Sequence, residues 1–407
     1  MKNLTWQNPG QLFVAQELIK IVKLKCCGIK VFFIKMILQI TFDDKFVDYV
    51  VEQFRGYSSM CRIVLLTYDS NTIKYSTKID KDNIITYNSN EYNDLLASLS
   101  NYKAVITHGL FDYMQYDIVR KLPKEVKLAW VLWGSEIYSR KENKKKYLAK
   151  GTKFIYTIRE CLKPKTKDDK FKHEEVPLDI LKRVDYLLGS SLELFYDVKN
   201  YLKETVEHLK YSYYTIEDTV GEELIEKYAS GNNILVGNSS AIENNHLEII
   251  YRLNKIKVSN EIKCYFPLSY GEVWVRNFVN RIGKTLLGSK YVPLLTFMKR
   301  SNYNELMLSC GVYISNHHRP NAFGNILTAI WLGLRVFVSE NNIQTKFLHN
   351  LGLFVNIIEK DLDNNPIHLT RLTSDNICHN RMILEKNYGR EQMKINIKKI
   401  VETLCNL

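Results

Sequence analysis

Two successive runs of alternating strand-like and helix-like segments leave this chain few folds to adopt. In the first, apolar stretches of strand length at 36–42, 61–67, 103–107, 127–133 and 184–189 are separated by helical patterns at 90–101, 111–121 and 190–204. In the second, stretches at 233–237, 261–267, 291–297, 311–315, 334–339 and 353–357 are separated by helical patterns at 242–255, 272–285, 302–309, 321–332 and 342–350. Strands that alternate with helices pair in parallel, because a parallel neighbour needs a long crossover. The expected class is therefore α/β, with two Rossmann-like, doubly wound units facing a central cleft. A length of 407 residues agrees with this, since single cores stop growing near about 250–300 residues. The expected division is an extension outside the fold at 1–35, a first unit at 36–215, a second at 216–375, and a C-terminal helix at 376–407 that packs back towards the first. Ligands of such sheets bind beyond the carboxyl ends of the strands.

The formal net charge of +13 suggests nucleic acid until it is mapped. Residues 1–35 hold six lysines against Glu17, and residues 140–172 hold thirteen Lys or Arg against four acids. These two stretches exceed the whole excess, so the remaining body is close to neutral. A patch this local fits a phosphate or an anionic membrane surface rather than a groove along a duplex, so no nucleic-acid partner is expected. The eight cysteines include no C-x-x-C pair and no zinc-finger spacing, so neither disulfides nor structural zinc are expected. Lysines interrupt the apolar segment 12–34 too often for a spanning helix or a signal peptide. A location on the cytoplasmic side is the expectation.

Chemistry-bearing residues collect where strands end. His108-Gly109 follows one strand and Trp133-Gly134-Ser135-Glu136 another, which makes Glu136 the first candidate general base and His108 the second. Each has a plainer alternative, a helix-capping histidine and an acid favoured by a helix dipole. In the second run, Gly237-Asn238-Ser239-Ser240 forms a strand-to-helix turn whose amides could meet a phosphate, or simply a capped turn. It matches neither the dinucleotide nor the P-loop pattern. The densest constellation is 316–325, in which Arg319 offers a fork for phosphate beside Asn321, Gly324 and Asn325. Tyr270 ends a further strand at the same level. The paired histidines 317 and 318 lack a third ligand nearby, so no metal is expected.

Taken in order, these motifs resemble the family 56 glycosyltransferases, the N-acetylfucosamine (4-acetamido-4,6-dideoxygalactose) transferases of enterobacterial common antigen synthesis, also known as 4-alpha-L-fucosyltransferases. The matching positions are His108-Gly109 with Phe111, Trp133-Gly134 with Glu136 and Tyr138, and Gly237-Asn238-Ser239 with Asn244 and His246. They continue through Pro267 with Tyr270, Tyr303, and Arg319 with Gly324. The resemblance spans about residues 36 to 355 and departs at Glu136, where the family carries Asp, and at Pro320-Asn321, where it tends to carry Gln.

The resemblance implies a GT-B fold and transfer of a deoxy-amino sugar from a dTDP-sugar donor held mainly by the second unit. It also implies a polyprenyl-diphosphate-linked saccharide acceptor at the inner membrane face, with no cofactor and no obligatory metal. Gly237, Asn238, Ser239, Ser240, Tyr270, Arg319, Asn321, Gly324 and Asn325 would then hold the nucleotide sugar, with Glu136 or His108 taking the acceptor proton. The basic stretch 140–172 would face anionic lipid, making the protein peripheral. A non-hydrolysing nucleotide-sugar epimerase and a noncatalytic binding protein of the same architecture are the alternatives.

Overall fold

In a computed structural model, residues 37–143, 145–162, 175–362 and 369–407 are described. The segment 1–35 and the part of the basic stretch at 163–172 lie outside them. The first half runs β1 (Ile37–Phe42), α1 (Val47–Gln53), β2 (Cys61–Thr67), β3 (Ile84–Thr86), α2 (Asn90–Ala97), β4 (Ala104–His108), α3 (Tyr113–Lys121) and β5 (Lys127–Val131). It continues with α4 (Ser135–Tyr138), α5 (Lys150–Leu162), α6 (Leu178–Arg183), β6 (Tyr186–Gly189), α7 (Leu192–Val198) and β7 (Glu207–Lys210). After α8 (Ile216–Val220) come β8 (Asn233–Val236), α9 (His246–Ile256), β9 (Cys264–Pro267), α10 (Val273–Leu287), β10 (Tyr291–Leu294) and α11 (Arg300–Leu308). The remainder is β11 (Cys310–Ser315), α12 (Phe323–Trp331), β12 (Arg335–Val338), α13 (Ile343–Asn350), β13 (Asn356–Ile357), α14 (Ser374–Tyr388) and α15 (Arg390–Cys405).

Two parallel sheets result, ordered β3-β2-β1-β4-β5-β6-β7 and β10-β9-β8-β11-β12-β13. Their central strands are buried on both faces, as helix-covered parallel strands must be, and so read as continuous apolar runs: β11 is buried along its whole length. Strand order reverses between β1 and β4 in one sheet and between β8 and β11 in the other. Those switch points open a crevice at the carboxyl ends of the strands. Short strands escaped the sequence reading. β3 has three residues, and the four of β7 bury only Leu209.

Several helices tie the halves together: α13 of the second packs on α7 of the first, with Asn350 donating to Glu193 at 2.8 Å, and α5 and α15 add further ties. The N-terminus of α5 docks on α9: the Thr152 amide and hydroxyl donate to the two carboxylate oxygens of Glu248 at 2.8 and 2.6 Å, and the Ala149 amide donates to Asn245 Oδ1 at 2.9 Å. At the other end of the chain the expected single helix is two, parted at Gly389. α14 packs on α12, while α15 crosses back to bury Met393, Ile397, Ile400, Val401 and Leu404 against Ile37, Ile106, Val131 and Leu188 of the first sheet.

Candidate active site

The strand ends of both sheets border one cleft of about 620 Å³, within the usual size of a small-ligand site. From the first half come Lys45 and Phe46 after β1, Trp133 and Gly134 after β5, and Tyr211, Tyr213 and Tyr214 after β7. From the second come Asn238 and Ser239 after β8, Tyr270 after β9, Arg300 at the start of α11, and 319–325, which runs from the loop after β11 into the first turn of α12. Among the described residues that line it, three are cations and none is Asp, Glu or His.

Of the residues expected to hold a nucleotide sugar, Asn238, Ser239, Tyr270, Arg319, Asn321, Gly324 and Asn325 border the cleft, whereas Gly237 and Ser240 lie behind its wall. Gly237 has φ +68, and a Cβ there would stand 2.5 Å from His246 and 2.6 Å from Asn244, so only glycine permits this turn. Of the four amides expected at this turn, three are used inside the protein: Gly237 donates to Ile314 O, Asn238 to Asn244 Oδ1 and Ser240 to Tyr270 O, while the next, Ala241, donates to Ser239 Oγ.

Amides without an earlier helical acceptor occur instead at the start of α12. The first helical bond there runs from Ile326 N–H to Ala322 O at 3.0 Å, so those of Phe323, Gly324 and Asn325 precede it. A Cβ on Gly324 would meet only Thr219, at 3.7 Å, which leaves the space in front of these amides open. Ala322 caps the helix at φ +53, a conformation that L residues seldom adopt.

Arg319 sits beside this helix start. One Nη lies 3.5 Å from Glu243, its Nε is buried without a partner, and its guanidinium lies 5.8 Å from the Tyr138 ring of the first half. Arg300 faces the cleft from another side and donates to the Tyr49 hydroxyl across it at 3.3 Å. No motif pointed to Arg300; its place just after β10, like that of Arg319 after β11, was the available signal.

Glu136 and His108 are both buried beneath the first-half wall and do not line the cleft. Burial pushes the Glu136 carboxyl up to about 7, against the pull of its own, Trp133 and Leu110 amides and the Trp130 side chain. Its Oε1 accepts the Trp133 amide at 3.3 Å, and its Oε2 has no geometrically formed hydrogen bond. Burial drives His108 down to about 3, so its ring is neutral. His108 Nε2 meets Gln39 Oε1 and its Nδ1 meets the Tyr213 hydroxyl, each at 3.0 Å. Because the Gln39 oxygen can only accept, Nε2 carries the proton and Nδ1 accepts from Tyr213. The same hydroxyl accepts the Trp133 indole N–H at 2.8 Å. Tyr213 is thus the cleft-side end of a hydrogen-bonded chain that runs through His108 to Gln39. Asp44, after β1, accepts the Phe46 amide and is pushed by burial up to about 7.

No known family profile matches the chain, and no curated protein matches it in sequence. Solved structures do match in shape. A glycosyltransferase from Rickettsia africae superposes with a TM-score of 0.59 at 13% identity, covering 92% of this chain and 99% of that one. Sucrose-phosphate synthase from Thermosynechococcus elongatus gives 0.57 at 10% identity over 91% and 99%. HepE of Anabaena, in complex with UDP and glucose, gives 0.57 at 10% identity over 92% and 100%. Near-complete overlap with these chains, together with two parallel sheets facing one cleft, makes the fold α/β of the GT-B type.

Proposed function

We propose that this protein is a glycosyltransferase that takes a sugar from a nucleoside-diphosphate donor bound in the cleft. The observation that carries the reading is the cleft's charge: Arg319, Arg300 and Lys45 line it, no carboxylate does so among the described residues, and the free amides of α12 open into it. Such a wall suits a diphosphate, and it stabilises the negative charge that develops as the sugar–phosphate bond breaks. Arg319 and the amides of Phe323, Gly324 and Asn325 would hold the diphosphate, while Asn238, Tyr270 and Asn321 would orient nucleoside and sugar. HepE, with UDP and glucose bound, supports a nucleotide sugar as the ligand class.

Opposite them, the rings of Phe46, Trp133, Tyr213 and Tyr214 form an aromatic wall, with Phe46 stacked on Tyr213 at 4.3 Å. Aromatic faces suit the apolar face of an acceptor sugar. In this reading the second half holds the donor and the first half the acceptor. Glu136 takes the acceptor proton, reached by movement of the Trp133-Gly134 turn above it, and His108 holds the Tyr213 hydroxyl in place. The resemblance in motif order supports the finer reading of family 56, with a dTDP-linked deoxy-amino sugar as donor and a polyprenyl-diphosphate-linked saccharide as acceptor. The local basic charge supports work at an anionic membrane face.

The deciding experiment screens dTDP-, UDP- and GDP-sugars with and without a polyprenyl-diphosphate acceptor. Nucleoside diphosphate released only when acceptor is present supports transfer. Interconversion of the donor sugar without acceptor would instead identify an epimerase, and nucleotide binding without turnover a noncatalytic protein.

A further inference from the structure

The outer face of α5 has no use in the cleft, yet it is built unlike an ordinary solvent-facing helix. Phe154, Ile158 and Leu162 are 64, 41 and 77% exposed, and their spacing of four places them on one stripe of the helix. The opposite face buries Thr152 and Tyr156. Lys150 continues the stripe one turn towards the N-terminus and Lys153 lies beside it, and the local sequence 140–172 carries thirteen cationic residues against four acids. A helix with apolar side chains outward and lysines at its flanks is the arrangement that lies in a bilayer interface, rings and aliphatic groups among the acyl chains and ammonium groups at the phosphates. No helix among the described residues is long and apolar enough to cross a membrane, so contact through α5 would be in the plane of the surface.

We propose that α5 is the membrane-contacting helix and that Phe154, Ile158 and Leu162 enter an anionic leaflet while Lys150 and Lys153 bind its headgroups. This deepens the membrane-face reading above. Charge decides the occupant: an apolar protein partner would need no surplus of cations, whereas an anionic surface attracts each of them. The position of α5 matters too. Its N-terminus is held by Glu248 and Asn245 of the second half, and its inner face, through Tyr156 and Arg159, walls a groove shared with Glu243, the carboxylate paired with Arg319. A leaflet on the outer face of α5 would therefore lie close behind the proposed donor site.

The test uses the full chain and vesicles, without any sugar nucleotide. Wild type should sediment with vesicles rich in phosphatidylglycerol and stay in solution with pure phosphatidylcholine. Replacing Phe154, Ile158 and Leu162 together by Ser should weaken binding to the anionic vesicles by at least about tenfold. Lys150→Gln with Lys153→Gln should remove much of the salt-sensitive part. Separately, Phe154→Trp, a single exposed change, should show a blue-shifted indole emission when anionic vesicles are added, quenched by brominated lipid. Unchanged sedimentation of the triple variant, or indole emission indifferent to vesicles, would overturn the proposal. So would light scattering that finds a wild-type dimer and a monomeric triple variant, because the stripe would then be covered by a second copy. Nucleotide affinity measured on the same variants separates this outcome from failure of the glycosyltransferase reading, since none of these side chains lines the cleft.

Discussion

In the proposed reading, Arg319 concentrates the chemistry of the second half. Charge-assisted hydrogen bonds contribute about 1.5–3 kcal/mol, so Arg319→Ala should lower nucleoside-diphosphate affinity about 10- to 100-fold by calorimetry and reduce turnover with it. Arg319→Lys should recover only part, because an ammonium presents no fork. Glu136 makes a different prediction, in pH. Its carboxyl ionises near 4.5 in the unfolded chain and near 7 in the fold, so the fold loses stability as pH rises from the lower value through the higher. Glu136→Gln, which has no charge to bury, should therefore melt above wild type at pH about 8 and lose that advantage below pH about 4. If Glu136 is also the base, wild-type turnover should rise with pH through about 7 and fall about 10²–10⁴-fold in Glu136→Gln, with donor affinity unchanged. A pH limb that survives in Glu136→Gln at undiminished rate would instead pass the role to Asp44, whose carboxyl burial raises to a similar value.

Of the elements, α5 is held to the second half through its N-terminus. Glu248 accepts two hydrogen bonds at its N-terminus, so Glu248→Gln should cost about 1 kcal/mol of stability in chemical denaturation. The periodicity that located the long, buried strands is carried by side chains, and it failed where side chains have little part. β3 and β7 are set by backbone pairing with β2 and β6. In 150–162 the eye is drawn to lysines, although the helix is decided by Thr152 and Tyr156 packing inward. The site divides in the same way. Arg319, Asn321, Gly324 and Asn325 were legible as cleft residues because one continuous stretch after β11, running into the first turn of α12, carries them all. Arg300 and Tyr213 were not, since each comes from a segment with no motif, and only the topology brings them together. The Gly237 turn was visible as a turn, but the use of its amides by Asn244, Tyr270 and Ile314 depends on segments distant in sequence.

The molecule as a whole depends on its last element. α15 covers apolar side chains of β1, β4, β5 and β6, so a chain ending at Gly389 should lose its cooperative thermal transition or precipitate. Burying groups of this size contributes about 1.5–3 kcal/mol each, against a total stability of about 5–15 kcal/mol for an ordinary domain. The order of synthesis gives this arrangement a further meaning. β1 is synthesised before the second half, and the sixteen residues of α15 after it, so a face of the first sheet stays uncovered while the second half is being built. Until α15 follows, the apolar side chains it covers lack that cover, the kind of exposed surface that makes partly made chains prone to aggregate. A circular permutant that starts with α15, linked directly to β1, would remove that interval and should need less chaperone to reach the same native state.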